Sequence, residues 1–463
     1  LTIELIIFLS PGCALSLAWY SINRAALSGF KSIFAVIAAA VSAKLTPSNV
    51  TPVFDLKDSI QSVLNNHKII KASRIDIKAA ELRLKQSKGG YYPSLDLTGS
   101  WGHENIIKYG PGNNTQLTAR DSTAKITQTI TDFGLTNSTV KTSKLGVEQS
   151  IALKKQIKND LMLRSLTAYL RLIQSRESVR YAIQSVSNIK KQTELEDAAV
   201  TAGGGLTSDV LQAKTQLAGA QARLIQFEGV LSAAKYEFEY VFGFIPKKLN
   251  DLSLTKPVFD YLPKTLEEAE ETTKKNNPAL LTAKISQEMG KEAINTAEAG
   301  LYPIIKGIIS HSEKQDFGGI VGFKRETSAK VDFSYPLNLS LSEYDGKNAA
   351  VESYHATETR IKDQHDMTMQ MLRTTWDGLS TARKNAQFLL NQARISQEFL
   401  ELARTERKAG NRTLLDVLGG ETALINAQAD SIAARIEVLI NSYTLLSLMG
   451  ELGMDKIELA VKK

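Results

Sequence analysis

The chain has 463 residues, 43% of them hydrophobic, and its 56 basic against 49 acidic side chains leave a formal net charge of +7. That hydrophobic fraction, with a mean hydropathy near zero, excludes a disordered chain. It equally excludes a bundle of apolar membrane helices, because no stretch after residue 44 reaches the ~18 to 20 apolar residues that a spanning helix needs. The mild charge is spread along the chain without a basic block carrying interleaved aromatics, so nucleic-acid binding has no support.

The N-terminal region reads as an export signal over residues 1–43, followed by a short segment, 44–54. Arg24 and Lys31 precede the apolar run Phe34-Ala-Val-Ile-Ala-Ala-Ala40, and Val41-Ser42-Ala43 fits small-residue cleavage ahead of Lys44. The apolar residues before Arg24 point to a start site assigned too early; the rival reading of the whole region is a membrane anchor. Cys13, the only cysteine, falls within the signal, and Ser10-Pro11-Gly12 makes a poor lipobox. A mature chain without thiols suits an oxidising compartment and excludes disulfides and thiolate metal sites.

A helix is expected at about 56–88. After Tyr92-Pro93, Leu95, Leu97, Gly99 and Trp101 alternate with Ser94, Asp96, Thr98 and Ser100. A polar loop at 104–121 separates this from a second alternating segment, with Ala124, Ile126 and Ile130 on one side and Lys125, Thr127 and Thr129 on the other. Together they predict a hairpin over 94–131 with one apolar and one polar face.

No proline stands between Pro111 and Pro246, and the interval is rich in helix formers. Ile157, Leu161, Leu166, Leu170, Ile173, Val179, Ile183 and Val186 recur there at threes and fours, the coiled-coil period. The pattern predicts a helix of roughly 60 residues, a sharp turn at 203–208 and a return helix of roughly 40, far longer than a globular core needs.

The series then repeats. Pro257 and Pro263 mark a linker at 251–264, and a helix is expected at about 265–299. Tyr302-Pro303 opens a second hairpin, read as 303–341 around a loop at 312–327. Its clearest strand carries Ala329, Val331, Phe333, Tyr335, Leu337 and Leu339 on one side. No proline follows Pro336, and Trp376, Leu379, Ala382, Ala386, Leu389 and Ala393 restore the helical period. Thr201-Ala-Gly203…Asp209-Val-Leu returns as Lys408-Ala-Gly410…Asp416-Val-Leu, with the same spacing from Gly to Asp, placing a second tip at 410–415. The chain is therefore an internal duplication, 55–250 and 265–452, with a C-terminal tail at 453–463.

Four strands cannot close a barrel, and helices this long cannot bury their stripes on one compact core. Two architectures remain open on pattern alone. One is a soluble α+β protein with coiled-coil arms. The other is a homo-oligomer in which several chains contribute four strands each to one closed transmembrane barrel.

The duplication, the two Tyr-Pro openings, Thr131-Asp132-Phe133-Gly134, Tyr335-Pro336-Leu337 and Ala409-Gly-Asn-Arg-Thr-Leu-Leu-Asp416-Val-Leu418 all stand in register with the same order of elements. Over about residues 55 to 450 the chain resembles the TolC-like outer membrane factor family. The resemblance implies long coiled-coil α-helices plus transmembrane β-strands: a homotrimer with a twelve-stranded barrel in the outer membrane, four strands per chain, continued by a periplasmic α-helical barrel. It also implies a passive exit duct for tripartite efflux or type I secretion. Its partners would be a periplasmic adaptor (membrane fusion) protein, an inner-membrane transporter of RND or ABC type, and outer membrane lipid.

By motif match, Asp416 would project into the periplasmic aperture as one member of a carboxylate ring, which favours cations. Many relatives carry a second Asp three residues on; here that position is Gly419. Asp209 with Arg407 or Arg412 would tether neighbouring tips, and Leu206, Thr207, Thr413 and Leu414 would contact the adaptor. A plainer reading competes: Thr413 as an N-cap with Asp416 at N3, Thr207 as a cap with Asp209 at N2, and the arginines as solvated charges.

Catalysis has no foothold in the residues. The five histidines (67, 103, 311, 355, 365) are scattered without ligand spacing, and Gly203-Gly-Gly205 follows a helix rather than a strand, which makes it a turn and not a phosphate loop. No cofactor is expected. The alternative function is a periplasmic coiled-coil adaptor, or a structural protein that binds partners through its hairpin tips.

Overall fold

The computed structural model describes residues 55–110, 112, 114–204, 206–335 and 338–458; the expected export signal and the segment after it lie outside the described residues. Asp55 opens α1 (Leu56–Asn66), its carboxylate accepting from the backbone N–H of Lys57 at 2.8 Å. The helix expected at 56–88 breaks after 11 residues. His67 takes an extended conformation and caps α2 (Lys68–Lys88) through Nδ1, which accepts from the N–H of Ile69. The second half breaks at the corresponding place. There α5 (Leu266–Asn276) also has 11 residues, and Asn277 caps α6 (Pro278–Ala299) by accepting from the N–H groups of Ala279 and Leu280. Pro278, whose missing N–H has no helical partner to lose, is the first residue of α6.

Four strands lie between these helices and the long ones: β1 (Ser94–Ile106), β2 (Thr115–Thr131), β3 (Ile304–Gln315) and β4 (Phe323–Ser334). They form one antiparallel sheet in the order β1-β2-β3-β4, so the two hairpins are neighbours and β1 and β4 are unpaired edges. The register collects the alternating residues of all four strands. Leu95, Ile126, Ile309 and Ala329 form one row, and Asp96, Lys125, Ser310 and Ser328 form the next row on the opposite face. Both loops are shorter than the polar composition suggested, because the strands continue into them. β4 ends at Ser334, short of the expected 341; Leu339 stands fully exposed in a turn.

The Thr131–Gly134 motif makes the corner from sheet to helix. Asp132 accepts from the N–H of Gly134 at 3.2 Å and of Thr136 at 2.8 Å, which satisfies the first turn of α3 (Leu135–Thr201), while Phe133 stacks on Tyr302 with ring centroids 5.3 Å apart. α3 has 67 residues and is about 100 Å long. It returns through α4 (Thr207–Phe242). In the second half α7 (Ser342–Lys408), also 67 residues, returns through α8 (Leu414–Leu448). Among the described residues no helix is long and apolar enough to cross a membrane.

The main core lies midway along the long helices. Leu166, Tyr169 and Ile173 of α3 pack on Ile436, Tyr443 and Leu446 of α8, closed by α1 and the segment after α4. Tyr169 donates its hydroxyl to the Ser253 carbonyl at 2.6 Å, and burial pushes its pKa up to about 12. Asn159 donates to the Ser447 carbonyl at 3.0 Å, and Asn277 to that of Leu448 at 2.8 Å. These bonds fasten both repeats to the C-terminal end of α8.

Candidate functional site

The two tips turn by the same mechanism. Gly203 and Gly410 take left-handed conformations, φ 81° and 80°, which cost an L side chain on the order of 1 kcal/mol or more. The N–H of Gly204 reaches back to the Ala199 carbonyl at 2.9 Å, and that of Asn411 to the Glu406 carbonyl at 3.0 Å. Each closes a Schellman-type cap. The repeated glycine is thus a stereochemical requirement of the turn.

The helices leaving the tips start differently. Thr413 caps α8: its Oγ1 accepts from the N–H of Asp416 at 3.3 Å and donates to Asp416 Oδ2 at 2.9 Å. Asp416 therefore sits exposed at N3 with one oxygen engaged. At the first tip the cap position belongs to Leu206, which has no side-chain acceptor, so Thr207 is the first helical residue rather than the cap, and Asp209 lies within the first turn.

The arginines do not meet Asp209 within the chain. Arg407 Nη2 pairs with Glu196 Oε1 at 2.7 Å and Nη1 donates to the Arg412 carbonyl at 3.3 Å. Arg412 Nε pairs with Glu406 Oε2 at 2.8 Å and its guanidinium lies over Phe399. Asp209 is half-buried without an ion pair among the described residues. Leu414 also departs from expectation. It is 3% exposed, packed with Ile189, Ala213 and Leu418, so it joins the two tips instead of facing a partner. Leu206, 65% exposed, and Leu415 are the apolar side chains the tips present.

Two acidic residues escaped the motif reading. Glu196 brings α3 to α7. Glu421, 2% exposed, pairs with Arg404 and accepts from Asn188 Nδ2 at 3.3 Å, joining α8 to α7 and α3. A signal for Glu421 existed: it stands in phase with Leu414, Leu418 and Ile425 on the buried seam of α8. Beside these pairs lies a cleft of about 400 Å³ lined by Asn188, Lys191, Glu196, Arg404, Arg407 and Val417. No group of acidic, histidine or cysteine side chains among the described residues has the geometry to hold a metal ion.

A family model described as outer membrane efflux protein matches residues 59–237 and 271–451, one match on each repeat. The outer membrane efflux protein BepC of Brucella suis biovar 1 (strain 1330) is 23% identical over 440 residues, covering 93% of this chain and 93% of the relative. Outer membrane protein TolC of Escherichia coli (strain K12) is 23% identical over 406 residues, covering 85% and 81%. In fold, the chain is similar to the solved outer-membrane channel OprN, with a TM-score of 0.76 at 17% identity over 86% of this chain and 90% of that one. Matched through both halves of its duplication, the chain belongs to the outer membrane efflux protein family and is an exit duct of the outer membrane.

Proposed function

We propose that three copies of the chain close their sheets into one twelve-stranded barrel, and that their long helices continue it as a periplasmic tunnel. The observation that carries this reading is the sheet itself. Among the described residues two long edges are unpaired, no helix covers the apolar face, and Leu95, Leu97, Trp101, Ile126, Ile309, Val331 and Phe333 are exposed on it. A free-standing sheet of that kind invites edge-to-edge pairing, whereas closure removes the edges and lipid covers the apolar face. Tyr92, Phe133, Tyr302 and Tyr335 gather at the helix-side end of the strands, where an aromatic girdle would meet the inner boundary of the bilayer. A coiled-coil adaptor has no use for such a face.

In this arrangement the duct is passive. A transporter of the inner membrane supplies the energy, and a periplasmic adaptor seats on the tips through Leu206, Thr207, Thr413 and the exposed Leu415. Three Asp416 carboxylates ring the aperture and favour cations over anions. Asp209 remains the tip carboxylate available to a neighbouring chain. Similarity to the outer membrane efflux protein BepC, together with this geometry, supports efflux as the cargo route, and no catalytic step is assigned.

Single-channel recording in a planar bilayer tests the proposal. Small cation-preferring steps from the wild type, with the preference lost in Asp416→Ala, are expected. Absence of a trimer in light scattering of well-folded protein would sink the barrel.

A further inference from the structure

The loop between β3 and β4, residues 316–322, does not extend the hairpin outward. Asp316 holds it in a tight loop: its backbone N–H donates to the Gly322 carbonyl at 2.8 Å, and its Oδ1 accepts from the Gly322 N–H at 2.8 Å. The loop then leans sideways, past β2, onto β1. Glu104 Oε2 accepts from the N–H of Gly318 at 2.8 Å, a charge-assisted bond between two hairpins. At Gly319 an added Cβ would stand 3.0 Å from Thr115 Oγ1 and 3.2 Å from Ile106 Cδ1, so the backbone lies directly on those side chains. Lys314 Nζ sits 4.7 Å above the ring of Phe317.

The four residues that hold the loop share one property. By the strand register, Glu104, Ile106, Thr115 and Lys314 all lie on the face that carries Asp96 and Lys125, the polar face of the sheet. The loop is a strap across that face, at the end of the strands farthest from the helices. Its apex, Ile320 and Val321, is 72% and 73% exposed, although nothing polar is presented there.

We infer that the β3–β4 loop is an outer lid. In a closed barrel the polar face lines the lumen, so the strap lies across the mouth, and three copies bring Ile320 and Val321 together as an apolar constriction. Such a ring resists wetting and restricts what crosses it, independently of the periplasmic tips. The occupant that covers the exposed apex is thus the same loop of the two neighbouring copies. Glu104 is the positioning residue, since its bond to Gly318 is what turns the strap inward. The inference rests on the barrel reading above.

The test uses a reporter thiol on the polar face, Asp96→Cys, in a Cys13→Ser background, displayed on intact cells and probed from outside. A small maleimide and a bulky polyethylene-glycol maleimide are compared. With the native loop, the small reagent should label the reporter readily and the bulky one slowly. Glu104→Ala, or Ile320→Gly with Val321→Gly, should speed bulky labelling on the order of tenfold while leaving the small reagent's rate unchanged. Bulky labelling that is already fast, or that neither loop variant alters, overturns the lid while leaving the barrel standing. Failure of the small reagent as well would mean that the polar face lines no aqueous lumen, which removes the barrel and the lid together.

Discussion

Arg407 and Glu196 meet at 2.7 Å, and the pair joins the last turns of α7 to those of α3, the two longest helices of the molecule. Glu196 is largely buried and Arg407 two-thirds so, which makes the contact far less screened than a surface ion pair. The pair holds the tip of the second repeat against the first, within one chain.

Glu196→Gln or Arg407→Ala should therefore loosen the aperture. The expected cost is on the order of 1–3 kcal/mol locally, because the remaining charge is left largely buried without its counter-ion. Single-channel recordings should show larger or longer openings in each variant, and the exchanged pair Glu196→Arg with Arg407→Glu should recover part of the wild-type behaviour. Unchanged conductance in both single variants would place closure elsewhere.

Gly410→Ala and Gly204→Ala should separate sharply. Gly410 is left-handed at φ 80°, so an added methyl strains the turn by about 1–2 kcal/mol, whereas Gly204 does not have positive φ and its added Cβ meets only ordinary contact. Hydrogen exchange at the tip amides is the readout. Faster exchange is expected in Gly410→Ala alone, and equal effects of the two would contradict the assigned cap.

Acid should weaken the junction between α3 and α6. Burial pushes Glu292 up, but Lys141 at 2.6 Å, together with Asn295, brings its carboxyl net below the usual glutamate range. A carboxyl with a depressed folded pKa contributes stability above its unfolded value, and that contribution disappears as pH falls through the folded one. Denaturant midpoints should accordingly drop below the ordinary glutamate range. Lys141→Met should reduce stability at neutral pH and flatten that part of the profile; an identical profile in the variant would remove Glu292 from the account.

Ile309→Arg and Ser310→Arg place the same charge on adjacent residues of β3 that face opposite sides of the sheet. On the lipid face of a barrel a midplane arginine costs about 2–4 kcal/mol, whereas on the lumen face it is tolerated. Heat-modifiable migration in gels should show loss of assembled protein for Ile309→Arg only. Equal tolerance would mean that the apolar face does not meet lipid.

Much of this architecture was legible because its signals are local. Alternation over Leu95–Trp101, the heptad recurrence over Ile157–Val186 and the proline-free intervals each report a backbone period that neighbouring residues enforce on one another. Gly203 and Gly410 were readable as turns for the same reason, since a left-handed residue is a property of one position. The breaks at His67 and Asn277 were missed. Their flanks are helical in composition, and a single extended residue capped by its own side chain leaves little mark on a periodic pattern.

The sequence alone thus determined the duplicated order of helices and strands, the length of the long helices and the division of the strands into an apolar and a polar side. Tertiary structure alone decided which charges meet. Successive residues on a helix point about 100° apart, so a small rotation of one helix against another exchanges one ionic partner for the next. Arg407 accordingly meets Glu196 rather than Asp209, Leu414 turns into the seam while Leu415 faces out, and Glu421 is buried against Arg404. The strap from Gly318 to Glu104 belongs to the same class: it joins residues 214 positions apart, and only the register of the four strands brings them to one face.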